Sequence, residues 1–177
     1  MSEFPKSFNF ADPMAVVCTH GSQSIGEGSF GMAVGAGAYP VANLAIFTPF
    51  RISRPVTFST MFAYNGATVS GNIDVGVYSA DGTKIVSSGS VAQAGASSIQ
   101  TFTVSTTELD AGLFYFAISM DNTTATVNRH APTVPATISF LGVAQMAAAF
   151  PLPATATFAN ASSGIAPLVG LTIRSFV

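Results

Sequence analysis

From Val41 onward the chain is built of short runs in which apolar and polar positions alternate, punctuated by turn residues. A period of two over four to eight residues is the mark of a half-buried strand. Residues 42–50 and 55–64 are β-branched and aromatic runs, with Arg51-Ile52-Ser53-Arg54-Pro55 between them and Asn65-Gly66 as a turn after the second. In 71–79, Ile73, Val75 and Val77 point one way while Asn72, Asp74 and Tyr78 point the other. Asp81-Gly82 followed by Lys84-Ile85-Val86 predicts a tight hairpin. Residues 97–104 alternate with one slip, which reads as a bulge. Leu109-Asp110-Ala111-Gly112 predicts a sharp entry into 113–120, apolar on both faces and therefore a central strand. Further strands are predicted over 123–128, 136–141, 154–159 and 168–176. The one helical candidate is 143–150 (VAQMAAAF), stopped by Pro151 and Pro153.

About ten short strands with turn signals every 8–12 residues predict an all-β chain, an antiparallel β-sandwich or jelly roll over 41–177. Residues 1–40 differ. Six glycines fall between Gly21 and Gly37 with no sustained alternation, and glycine at that density raises the entropic cost of ordering. This segment reads as an extended glycine-rich N-terminal arm closed by Tyr39-Pro40.

Only 8% of the 177 residues are charged and the net charge is −2, against roughly 25% in an average domain. Neither sign suffices for a patch, which excludes a basic nucleic-acid binder and a charge-driven disordered chain. The first residues have no basic start and no continuous apolar run, so they do not read as a signal peptide. No uncharged apolar stretch of about 18 residues occurs, so no membrane partner is expected. Cys18 is the sole cysteine, which removes intrachain disulfides. The outer surface must consist of hydroxyls, amides and backbone. Ser, Thr and Ala lose little solvation or side-chain entropy when covered, so such a surface suits packing against other protein.

Catalytic and cofactor patterns are weak. Gly26-Glu27-Gly28-Ser29-Phe30-Gly31 matches G-x-G-x-x-G, but no acidic residue lies between Glu27 and Asp74 to hold a ribose, and no kinase motifs follow. Cys18, His20 and His130 are too few and too scattered for a zinc site. Glu108 and Asp110 share one turn and are the only carboxylate pair that glycoside hydrolysis could use; an Asp at a turn more simply bonds its own backbone. Neither cofactor nor metal is expected, and the chain reads as a non-enzyme. With no Trp, a glycan platform falls to Tyr78, on the polar face of its strand, although cross-strand packing over the hairpin explains that ring as well.

Four blocks carry a resemblance: Phe50-Arg51-Ile52, Gly71-Asn72-Ile73-Asp74-Val75-Gly76-Val77-Tyr78-Ser79-Ala80-Asp81-Gly82-Thr83, Leu109-Asp110-Ala111-Gly112-Leu113-Phe114-Tyr115-Phe116-Ala117-Ile118, and the ending LVGLTIRSF at 168–176. Over about residues 45–177 the chain resembles β-sandwich domains of tailed-bacteriophage virion proteins. The resemblance implies a capsid decoration (cement) protein on the virion surface, with the capsid lattice and copies of itself, often as trimers, for partners. The alternative is a fibre or receptor-binding module that recognises host glycan, with Tyr78 in contact. The arm would supply reach, with Phe4, Phe8, Phe10 and Phe30 as anchors, because aromatic side chains dominate interface energetics.

Overall fold

The computed structural model describes residues 15–18, 32–132 and 136–176. Its strands, in chain order, are β1 (Ala15–Cys18), β2 (Met32–Ala38), β3 (Ala45–Ile52), β4 (Val56–Tyr64), β5 (Asn72–Ser79), β6 (Lys84–Ser87) and β7 (Val91–Ala92). They continue with β8 (Ile99–Leu109), β9 (Gly112–Met120), β10 (Thr126–Pro132), β11 (Ala144–Met146), β12 (Ala159–Asn160), β13 (Ala166–Pro167) and β14 (Val169–Phe176). One short helix, α1 (Ala136–Phe140), precedes β11.

Two antiparallel sheets form the sandwich. One runs β1-β14-β4-β8; the larger runs β12-β11-β3-β9-β5-β6, with β7 also paired to β5. A third, β13-β10-β2, is linked to the first by an isolated bridge between Asn65 and Val127. The main core fills the space between the two large sheets. Phe58, Met61, Phe102, Leu109 and Leu171 come from one side and Ile46, Phe50, Val75, Phe116 and Ile118 from the other. Phe50 and Phe116 stack with centroids 3.8 Å apart.

The alternation read in 71–79 survives in detail, since Ile73, Val75 and Val77 enter this core. The opposite face of the strand does not meet water. The segment from Ala149 to Phe158 lies across the larger sheet and encloses a second apolar cluster of Phe47, Tyr78, Ala117, Leu152 and Ala156, with Phe158 packed against it. This second layer makes β3 and β9 apolar on both faces. Pro49 sits inside β3, where its missing N–H does no damage: β11 covers only Ala45 to Phe47, so β3 is an edge beyond that point.

The turns follow their residues. Gly82 takes φ +90°, and the Asp81 carboxylate accepts the Thr83 N–H at 3.0 Å, closing the predicted β5–β6 hairpin. Gly112 opens β9 directly after the turn from β8. The slip read in 97–104 is not a bulge: pairing with β4 is continuous from Ile99 to Thr103 and Ile99 faces outward, while the register shift of this strand pair lies farther along, between the Phe58–Thr107 and Thr60–Thr103 pairs.

Several expectations are corrected. Residues 143–150 are not helical: Ala144–Met146 pairs with Ala45–Phe47, and Ala148 takes φ +53°. Pairing to an open sheet edge overrides the helix propensity of an alanine-rich run. Residues 136–141 hold helix α1 in place of a strand. The strand expected over 123–128 starts later, at Thr126, because the Asn122 side-chain oxygen accepts the N–H groups of Thr124 and Ala125 and bends the chain there. Residues 154–159 contribute one bridge, Thr155 to Thr83, ahead of the two-residue strand β12. Within the stretch read as an arm, β1 pairs with β14 and β2 with β10, so residues 15–18 and 32–38 extend two of the sheets.

Candidate functional site

The outer face of the β1-β14-β4-β8 sheet follows from strand alternation. Met61 and Ala63 of β4, Phe102 and Val104 of β8, and Leu171 and Ile173 of β14 point into the core. Their neighbours therefore point outward, and register aligns them in rows. Thr103, Thr60 and Thr172 stand side by side across three strands. The next row is Thr101, Phe62 and Gly170, and beyond it Ile99 pairs with Tyr64. Ile99 is 59% exposed and Tyr64 36%. The face carries hydroxyls and an apolar pair, and no ionic group among these residues.

Charge collects at one end of the sandwich instead. The β3–β4 connection with Arg51 and Arg54, the β8–β9 turn with Asp110, and the β5–β6 hairpin with Asp81 all lie at that end. The register shows it: Ile52 pairs with Gly112, Ser79 with Phe114 and Val56 with both Leu109 and Phe176. The Arg54 guanidinium lies 3.6 Å over the Phe176 ring. A shallow open hollow there is lined by Arg51, Ile52, Ser53, Ala111 and Gly112. Glu108 and Asp110 are both exposed, and Asp81 is held below the usual carboxylate range by hydrogen bonds from Ser79 and Thr83.

The opposite end is organised by amides. Asn65 Nδ2 donates to the carbonyl of Ala94 and to Gln100 Oε1, Gln93 Nε2 donates to Asn65 Oδ1, and Asn128 Nδ2 donates to the Asn65 carbonyl. Asp121, the acid at this end, receives the Asn72 N–H and side-chain amide and the Asn122 amide. Partial burial pushes its pKa up, and hydrogen bonds from Asn122 and Asn72 outweigh that, so the net shift is downward. These groups satisfy one another and hold loops.

Asp74 is a fully buried carboxyl on β5, beneath the crossing segment. It accepts the Leu152 N–H at 3.0 Å and the Ser88 hydroxyl at 3.2 Å. Burial raises its pKa against the opposing pull of these bonds and of Lys84. The groups that act on it are the Leu152 backbone, the Ser88 and Ser87 side chains and the Lys84 charge.

Tyr78 requires a correction. Its ring is fully buried, edge-on to Phe47 at 5.2 Å, and its hydroxyl donates to the Pro153 carbonyl at 2.5 Å. The polar face of β5 is roofed, so Tyr78 is a packing residue and presents no ring to a glycan. Phe4, Phe8, Phe10, Phe30, His20 and the glycines at 26–31 lie outside the described residues. Cys18 falls in β1 and buried His130 in β10. Among the described residues no three His, Cys, Asp or Glu side chains gather as a metal site, and no helix is long and apolar enough to cross a membrane. The hydroxyl rows escaped the motif reading, although Thr101, Thr103 and Ser105 at alternate positions were their visible trace. Compared with known proteins, the chain matches no family model, no curated protein and no solved structure.

Proposed function

We propose that this chain is a non-enzymatic structural protein that works by being packed against other protein, and specifically a capsid decoration (cement) protein of a virion. The observation that carries the reading is the row of Thr103, Thr60 and Thr172 on the outer face of the β1-β14-β4-β8 sheet, while Arg51, Arg54, Asp81 and Asp110 gather at one end. A face of short hydroxyl side chains is covered at small entropic cost, and a charged end keeps a molecule hydrated where it is not covered. The resemblance of 45–177 to tailed-bacteriophage virion sandwiches supplies the particular assembly.

Mechanically, such a protein bridges neighbouring shell subunits. At about 25 cal/mol per Å2, each few hundred Å2 of apolar contact adds several kcal/mol before ordering costs. Small gains per copy accumulate over a shell. The N-terminal segment with Phe4, Phe8, Phe10 and Phe30 would anchor the chain to a neighbour, in the manner of an added strand or an aromatic plug.

The test is to band particles from the producing culture on a density gradient and find this chain by mass spectrometry. Co-migration with the major shell protein, retained after a salt wash, supports the reading. Recovery solely in the particle-free fractions overturns it.

A further inference from the structure

We infer that the outer face of the β1-β14-β4-β8 sheet is a self-association surface, on which a second copy of this chain docks face to face. The inference rests on the assembly reading above and names one of its partners.

Three properties of the face select that occupant. The first is its electrostatics. Thr60, Tyr64, Ile99, Thr101, Thr103 and Thr172 carry no charge, and ionic side chains begin at its margin with Glu108 and Arg174. A two-fold axis sets residue i against j and j against i, with residues on the axis meeting their own copies, so a face carrying charge of one sign would repel its own copy. A face without charges is compatible with its own copy. An ionic partner would instead leave its charges desolvated and unpaired here.

The second property is relief. Thr103, Thr60 and Thr172 form a row of short side chains, flanked by a row in which Phe62 stands between Thr101 and Gly170, so two such sheets can interdigitate at about the 10 Å spacing of stacked sheets. The paired Ile99 and Tyr64, both exposed, give the face one apolar anchor with an aromatic ring of the kind that dominates interfaces.

The third is area. Four strands about 4.8 Å apart and about 26 Å long cover roughly 500 Å2 per copy. Two copies then bury about 1,000 Å2, the lower bound for a specific interface. This predicts a dimer of modest affinity, suited to reinforcement on a lattice.

The experiment is sedimentation equilibrium of the full chain and of two face variants, Thr101→Lys with Thr103→Lys and, separately, Tyr64→Ser. A third variant, Ser90→Lys, places the same charge on an exposed loop of the other sheet. Thermal unfolding of each reports that the fold is kept. The expected result is concentration-dependent dimerisation of the parent chain, weakened at least tenfold in both face variants and unchanged in Ser90→Lys. A parent chain that stays monomeric at every concentration overturns the inference. So does a dimer indifferent to both face variants, or one weakened equally by Ser90→Lys. A monomer that still bands with particles rejects this face and leaves the assembly reading standing. A dimer of the expected kind that never bands with particles does the reverse.

Discussion

Asp74 and Lys84 grip the same residue from opposite sides: the buried carboxylate accepts the Leu152 N–H at 3.0 Å, and the Lys84 ammonium donates to the Leu152 carbonyl at 2.7 Å. Around that clasp, Lys84 N–H donates to the Ala154 carbonyl and Ala156 N–H to the Gly82 carbonyl. The crossing segment is thus stitched to β5 and β6 along its length. Its role is to roof the larger sheet; among the described residues no segment crosses the outer face of the other sheet in the same way.

Because burial raises the Asp74 pKa, the native state holds this proton more tightly than the unfolded chain does. Stability then falls as pH rises, from the ordinary aspartate range near about 4 up to the raised native value, and stays at its lower level above it. Asp74→Asn mimics the protonated form; its oxygen can accept the Leu152 N–H and its amide can donate to Ser88. This variant is expected to be at least as stable as the parent at neutral pH and to flatten that part of the pH profile. Asp74→Ala strands the Leu152 N–H and is expected to lose about 1–3 kcal/mol. Urea unfolding from pH 4 to 8 reads all three, and a parent profile that rises through this window in the same way as the Asn variant's would refute the assignment.

Gly82 and Gly89 separate backbone strain from collision. Both take positive φ, +90° and +68°. A Cβ at Gly82 would strike the Ala156 carbonyl, whereas one at Gly89 meets nothing within 4 Å. Gly89→Ala should therefore cost only the left-handed penalty, about 1–2 kcal/mol. Gly82→Ala adds displacement of the crossing segment and should exceed it, at about 2 kcal/mol or more. Equal losses in chemical denaturation would show that the segment yields freely.

These contacts mark where sequence and structure part. Local signals were legible: the Asp81-Gly82 turn, the inward Ile73, Val75 and Val77, and the doubly apolar 113–120 each follow from residues within ten positions of one another. What could not be read was the second layer. Asp74 and Tyr78 look outward by alternation, and only the arrival of Leu152 and Pro153, more than seventy residues later, buries them. The same distance effect puts Ala144–Met146 into strand β11, between β12 and β3, in place of a helix. The hydroxyl rows were half visible, since Thr101 and Thr103 alternate, but their alignment with Thr60 and Thr172 is a property of register.

Tyr39 offers a test free of pH. Its buried hydroxyl serves two carbonyls, Leu44 at 2.6 Å and Ile118 at 2.9 Å, and burial pushes its pKa well above the usual tyrosine value, so it stays protonated. Tyr39→Phe leaves both carbonyls without this donor and should cost about 1–3 kcal/mol at every pH between 5 and 9. A loss that varies with pH would point to an ionising partner that this geometry does not contain.

The N-terminal segment needs a different perturbation from simple removal. Deleting residues 1–40 takes away β1 and β2, which exposes the edge of β14 from Gly170 to Ile173 and the edge of β10. Unpaired edges cost backbone hydrogen bonds and invite aggregation, so the truncated chain should unfold several degrees lower and precipitate sooner on heating. A loss of particle binding in that chain would confound anchoring with folding. Replacing Phe4, Phe8, Phe10 and Phe30 by Ala instead keeps both strands. If those rings anchor the chain to a shell, the quadruple variant should leave particle fractions at a salt concentration the parent withstands, with its unfolding temperature within about 2 °C of the parent's, equivalent to less than about 1 kcal/mol for a chain of this size. Equal retention on particles would remove the anchoring role, and a large drop in unfolding temperature would assign the rings to the chain's own core.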